Sequence, residues 1–147
     1  TLLASRFVLR QPSQAAVFIC GDTMRNFRDL RVWVESKRLM VQVYDITKQF
    51  PSEEKFGLTS QIQRAVVSIG ANIAEGYGYD SDPQFVRYLK MAYGSSNEVA
   101  CLIEFAKGLG YIDIHTRRYM EQDIDIIQRM IRGLIDKIKD PTKASSE

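Results

Sequence analysis

Gln61, Arg64, Ser68, Asn72 and Glu75 recur at steps of three, four, four and three in the middle of the chain. At about 100° per residue, that spacing lines one face of a helix with two amides, a guanidinium, a hydroxyl and a carboxylate. Such a row supplies the parts of acid–base or nucleophilic chemistry, or it meets polar partners on a neighbouring helix and selects that neighbour. Nucleophilic chemistry needs a base within hydrogen-bonding reach of Ser68 and a third group to orient that base. The chain has one histidine, His115, placed near the start of the last helical pattern, and its two cysteines, Cys20 and Cys101, lack metal-ligand spacing. No phosphate-binding loop, metal motif or nucleophile pattern occurs in the sequence. The row therefore reads as a structural polar seam, and no catalytic residue, metal, cofactor or small-molecule substrate is expected.

The partner of this seam is sought in "AYGSSNEV", which places Gly94 inside a helical pattern. Glycine there costs about 1 kcal/mol against alanine, which points to close packing at Gly94. Helices that fold back around Tyr79 set Arg64 opposite Gly94 and Ser95, with Gln61 in reach of Glu98. Arg64 is then expected to lie across Gly94 and to form a buried pair with Glu98. Buried pairs fix register more than they add stability.

Four helical patterns carry these residues. The first spans about Leu30 to Gln49 and stops before Pro51, which forces its predecessor out of helical geometry. The second runs from about Leu58 to Gly76, where glycine suits a left-handed cap. The third opens with Asp82 as N-cap and Pro83 in the first turn, and reaches about Leu109. The fourth starts near Thr116, read as a capping hydroxyl, and ends near Lys139. Seam residues recur at alternating steps of three and four: Met120, Ile124, Ile127, Ile131, Leu134 and Ile138 in the fourth pattern, and Phe85, Leu89, Ala92, Ser96, Val99, Ile103 and Ala106 in the third. Three short connections make neighbours antiparallel. The expected fold is all-α, an antiparallel up-down-up-down four-helix bundle over residues 24–140. Residues 1–23 lack the helical period and read as an N-terminal extension, and 141–147 as a C-terminal tail.

The first helix carries more apolar surface than one core needs. Arg31, Glu35, Arg38, Gln42, Asp45 and Gln49 share a narrow arc, while Trp33, Val34, Met40, Val41 and Tyr44 widen the apolar side beyond Val32, Leu39, Val43 and Ile46. A bundle helix needs an apolar stripe of roughly 100°. The surplus is covered either by deeper burial in the bundle or, more simply, by a second subunit. Composition fits a soluble domain, with 45% hydrophobic and 26% charged residues among 147. No run is long enough to span a bilayer, and the cysteine usage fits a reducing compartment. Twenty basic against 18 acidic residues leave a net charge of +2, a weak overall field. Locally, Arg25, Arg28, Arg31, Lys37, Arg38 and Lys48 exceed Asp29, Glu35 and Asp45. Arg25, Arg28, Arg31 and Arg38 are therefore the candidate contacts for nucleic-acid phosphates, through charge and without reading bases. A solvated face with locally cancelling charges is the alternative, and leaves a protein-interaction scaffold with no nucleic-acid role.

"NFRDLRVWVESKRL", "FPSEEKFGLTSQIQRAVVSIGANIAEGYG" and "AYGSSNEV" resemble the four-helix bundle proteins of intervening sequences in bacterial large-subunit ribosomal RNA genes. That superfamily includes the accessory variability determinants of diversity-generating retroelements. The resemblance covers about Met24 to Lys139. It implies a cytoplasmic bundle assembled as a ring-like homopentamer, associated more loosely with RNA, DNA or a ribonucleoprotein, and with no catalytic activity attached. Residues 1–23 have no counterpart in the pattern.

Overall fold

The computed structural model describes residues 26–142, which hold four α-helices: α1 (Arg31–Thr47), α2 (Leu58–Gly78), α3 (Asp82–Gly108) and α4 (Ile114–Lys139). The expected extension over residues 1–23 and most of the expected tail lie outside the described residues. Short 3-10 turns, Phe27–Asp29 and Ser52–Glu54, lead into α1 and α2. Each helix touches the two beside it, α1 with α2 and α4, α3 with α2 and α4, and the diagonal pairs do not meet. This is the up-down-up-down square that the short connections require.

The apolar seams read from the sequence form the core. Ile62, Val66, Ile69 and Ile73 of α2 and Leu89, Ala92, Val99 and Ile103 of α3 are buried, and they face Leu39 and Val43 of α1 and Met120, Ile124, Ile127 and Ile131 of α4. Burying a side chain of this size contributes about 1.5–3 kcal/mol. Leu134 and Ile138 are only partly buried, because the fourth seam reaches the open end of the bundle.

The helix ends differ from the sequence reading at three places. Asp82 is the first residue of α3 and not its N-cap, which is Ser81 and makes no side-chain cap hydrogen bond. Gly76 does not cap α2, which continues to Gly78. The left-handed glycine is Gly110, φ 76°, beyond α3. There Gly110 N–H donates to Lys107 O and Tyr111 N–H to Ala106 O, a Schellman closure that satisfies the last carbonyls. At the start of α4 the cap is Asp113 rather than Thr116: its carboxylate accepts the Thr116 N–H at 2.7 Å. That bond holds the Asp113 carboxyl below its usual range.

Close approach of helices also falls elsewhere than expected. A Cβ added at Gly94 meets nothing within 4 Å, and Gly94 is exposed on the outer side of α3. A Cβ at Gly76 would overlap Tyr88 Cβ and come within 3.2 Å of Phe85 Cδ2. Gly76 is buried, and the missing side chain is what lets Tyr88 and Phe85 of α3 press onto α2.

Alanine scans at these glycines should have opposite signs. Gly76→Ala should lower the melting temperature, since overpacking costs about 1–3 kcal/mol against about 1 kcal/mol of helix propensity gained. Gly94→Ala should raise it, by about 0.5–1 kcal/mol of stability. The Asp113 cap acts fully above the ordinary aspartate value of about 3.9 and is lost as pH falls through its lowered folded value. Amide exchange in the first turn of α4 should accelerate at that acid edge in the wild type, and Asp113→Ala should remove the dependence.

Candidate functional site

The polar row of α2 divides into two parts. Ser68 and Glu75 meet α3, and Asn72 braces Ser68 from within α2. Asn72 Nδ2 donates to Ser68 O and Ser68 Oγ, at 2.8 and 3.0 Å. Ser68 and Ser95 hydroxyls are 2.9 Å apart, and Ser95 Oγ donates to Met91 O at 3.2 Å. Since the Ser95 proton is committed to Met91, Ser68 is the donor to Ser95. The Ser68 proton is therefore held by another hydroxyl and not by a base, an arrangement that packs helices and does not activate a nucleophile. At the end of the row, Tyr88 OH donates to Glu75 Oε1 at 2.9 Å and stacks on Tyr79, ring centroids 5.4 Å apart. Its hydrogen bonds to Tyr79 and Glu75 push the Tyr88 phenol above its usual range.

Gln61, Arg64 and Glu98 do not join this seam. All three are exposed, and Arg64 and Glu98 form no ion pair among the described residues. The cause is register. Ser68 faces Ser95 and Glu75 faces Tyr88, so the helices fold back around Ser81 and Asp82, beyond Tyr79. This shift carries Arg64 past Gly94 along α3, and its angle on α2, well away from the buried face of Ile62, Val66 and Ile69, turns it to solvent.

Other interfaces hold polar clasps that the sequence reading missed. Gln63 Nε2 of α2 donates at 2.9 Å to buried Thr47 Oγ1 of α1, whose proton goes to Tyr44 O. Gln128 Nε2 of α4 donates to buried Ser96 Oγ of α3 at 3.0 Å, and the Ser96 proton goes to Tyr93 O. In both, a small hydroxyl turned back on its own helix receives an amide from the next. Thr47 and Ser96 occupy seam positions, which is the one signal that could have located them.

The charged pair of the bundle joins α1 to α4. Arg38 Nη2 and Nη1 reach Asp123 Oδ1 and Oδ2 at 2.6 and 3.1 Å, and Arg38 Nε reaches Glu35 at 2.9 Å. The Asp123 side chain is only 8% exposed and that of Arg38 43%. The Asp123 hydrogen bonds, followed by that of Glu35, hold the Arg38 guanidinium well above its usual range. Next to this pair Gln42 Nε2 donates to Tyr119 OH at 3.2 Å. The polar arc of α1 thus leans toward α4, and Arg38 does not stand free for phosphate.

The remaining candidate cations are not gathered into one patch. Arg31 is exposed on the α4 flank of α1, without an ion pair among the described residues, while Lys48 is held by Asp45 at 3.0 Å. Arg28 sits over the Phe27 ring at 4.6 Å. Arg25 lies outside the described residues.

The outward side of α1 carries apolar and basic groups: Val34 48%, Val41 55% and Tyr44 42% exposed, with Lys37 between the two valines and Lys48 just beyond Tyr44. Val67 of α2, 42% exposed, extends the same side. Trp33 and Met40, part of the apparent surplus, are partly buried against the core cluster. A cavity of about 200 Å³ opens between α3 and α4, lined by Cys101, Ile103, Glu104, Arg117 and Glu121 among others. Arg117 spans both glutamates across it. No described helix is long and apolar enough to cross a membrane.

Comparison with known proteins adds a family. Residues 28–133 match the family model described as 23S rRNA-intervening sequence protein. Among solved structures the chain is similar to a protein of unknown function from the S23 ribosomal protein family of Bacteroides thetaiotaomicron VPI-5482. The two share 25% identity with a TM-score of 0.64, over 71% of this chain and 97% of that one. No curated protein matches.

Arg38 and Arg64 separate a structural arginine from a solvated one. Arg38→Ala should cost about 1.5–3 kcal/mol, the value of a charged hydrogen bond with a buried partner, and fall at the lower end because the guanidinium is partly screened by water. Arg64→Ala should change stability by less than about 0.5 kcal/mol. Urea denaturation of the two variants measures the difference.

Proposed function

The chain belongs to the 23S rRNA-intervening sequence protein family, and on that footing we propose that it works by binding, as a self-associated four-helix module that docks on nucleic acid and performs no catalysis. The observation that carries self-association is the outward strip of α1, where Val34, Val41 and Tyr44 lie exposed beside Val67. Single exposed apolar residues are ordinary, but apolar side chains repeated along one side of a helix favour cover by another chain. A ring-like homopentamer is the proposed form. It joins two different patches of neighbouring copies and so closes without needing a self-complementary face.

Nucleic acid is supported by Arg28, Arg31 and Lys37 at and just before the start of α1, exposed and without an ion pair among the described residues, which repetition around a ring would multiply. The second reading, an interaction scaffold without nucleic acid, draws on the engagement of Arg38 by Asp123 and of Lys48 by Asp45. These pairs subtract from the charge that the sequence places on α1. Cytoplasmic location is part of the same proposal.

Light scattering after gel filtration should give the mass of five chains, and Val41→Glu with Tyr44→Glu should release smaller species that keep their helical circular dichroism. A wild-type monomer at low micromolar concentration sinks the assembly. Titration with RNA and duplex DNA at two salt concentrations should show binding that weakens steeply with salt, as counterion release requires. Absence of binding at low salt leaves the scaffold.

A further inference from the structure

A short ladder of side chains at the entrance to α1 goes beyond charge. The Arg28 guanidinium lies over the Phe27 ring, 4.6 Å from its centroid. Phe27 meets Trp33 edge to face, centroids 4.9 Å apart and planes at 65°. Lys37 Nζ stands 5.9 Å from the Trp33 ring centroid on the next turn. Asn26 Oδ1 accepts the Arg28 N–H at 3.1 Å and fixes the turn that sets the ladder. Behind it, a Cβ at Gly70 of α2 would lie 3.7 Å from Trp33 Nε1, so the indole rests close to bare backbone.

We propose that Phe27, Arg28, Trp33 and Lys37 form a stacking platform for an unpaired base of a single-stranded nucleic acid. This deepens the nucleic-acid reading above and rests on it. Fastening the 3-10 turn to α1 needs only the Phe27–Trp33 contact. The two flanking cations are exposed and form no ion pair among the described residues, including with Asp29 in the same turn. A guanidinium held over a ring leaves its other side open to a base, and aromatic and cationic groups together bind any base by its π-face. Arg28 and Lys37 also sit where the flanking phosphates of that nucleotide would run. A duplex keeps its bases stacked inside and presents only phosphates, so single strands are the class this surface fits. Arg31, about 200° around the helix from Trp33, is outside the platform.

Trp33 is the only tryptophan in the chain, so its emission reports on this site directly. The probes are a single-stranded RNA of about ten nucleotides, the matching DNA strand and an RNA duplex of equal length, each followed by anisotropy and by Trp33 fluorescence. Both single strands should quench Trp33 at the same midpoint as the anisotropy, and bind at least about fivefold more tightly than the duplex. Arg28→Gln and Lys37→Gln should each weaken single-strand binding by about 5–10-fold and blunt the quench. Arg31→Gln should change it by about twofold or less. Binding that leaves Trp33 emission unchanged places the contact elsewhere and overturns the platform. So does equal affinity for duplex and single strand with equal losses from Arg28→Gln and Arg31→Gln, the pattern of phosphate contact alone. In both cases nucleic-acid binding itself stands. No anisotropy change with any probe at low salt overturns the binding reading and the platform together.

Discussion

The contact on which the bundle's register depends is the one that Gly76 makes by lacking a side chain. Tyr88 and Phe85 press onto the α2 backbone there, and no other residue could occupy the position without moving them. Once Tyr88 is seated, its hydroxyl falls to Glu75 and the helices are locked in phase, so that Ser68 arrives opposite Ser95 about two turns away. One steric constraint at the turn end of α2 and α3 is read out as a hydrogen-bonded seam along their length. Apolar packing supplies the stability of this pair, and the seam decides which of many similar packings is used.

A comparable division holds between α1 and α4. Asp123 occupies a buried position and is satisfied by Arg38, whose long side chain reaches it from a partly exposed site. Drawing the polar arc of α1 toward α4 rotates the helix about its axis. Val34, Val41 and Tyr44 consequently point outward, while Trp33 and Met40 turn toward α2 and the core. The outward apolar strip and the buried carboxylate are two results of one helix orientation. The same orientation holds the indole beside Gly70, where the turn carrying Phe27 and Arg28 can pack on it.

The helices and their buried faces were legible in the sequence because a period of three and four, repeated over about five turns in α4 or six in α3, leaves one consistent inward direction. Their mutual offset was not, because it depends on where a chain reverses, and glycine has two opposite meanings there. At Gly76 it reads equally as a cap or as room for a neighbour, and only the position of Tyr88 distinguishes them. Placing the reversal at Tyr79 rather than between Ser81 and Asp82 set Arg64 opposite Gly94 and assigned close packing to Gly94, which faces open space while Arg64 faces solvent. Ser68, Asn72 and Glu75 survived the error because they are adjacent turns of one face, and a face is a local property. Asp123 could not be matched to Arg38 from the sequence, since the two are 85 residues apart and nothing local marks a buried carboxylate. The pairing of Phe27 with Trp33 is local, but it needs the 3-10 turn that Asn26 initiates.

Glu54 has an effect on how the molecule comes apart. One carboxylate oxygen accepts the Leu58 N–H at 2.8 Å and begins α2, while the other accepts Tyr111 OH at 3.1 Å from the connection between α3 and α4. Phe50 packs beside it, 5.4 Å from the Tyr111 ring. The two hairpins of the bundle are therefore tied across one end by a single side chain, and separating them there breaks a helix start and a tertiary bond together. Such a tie merges what would otherwise be two independently opening units into one cooperative unit at that end.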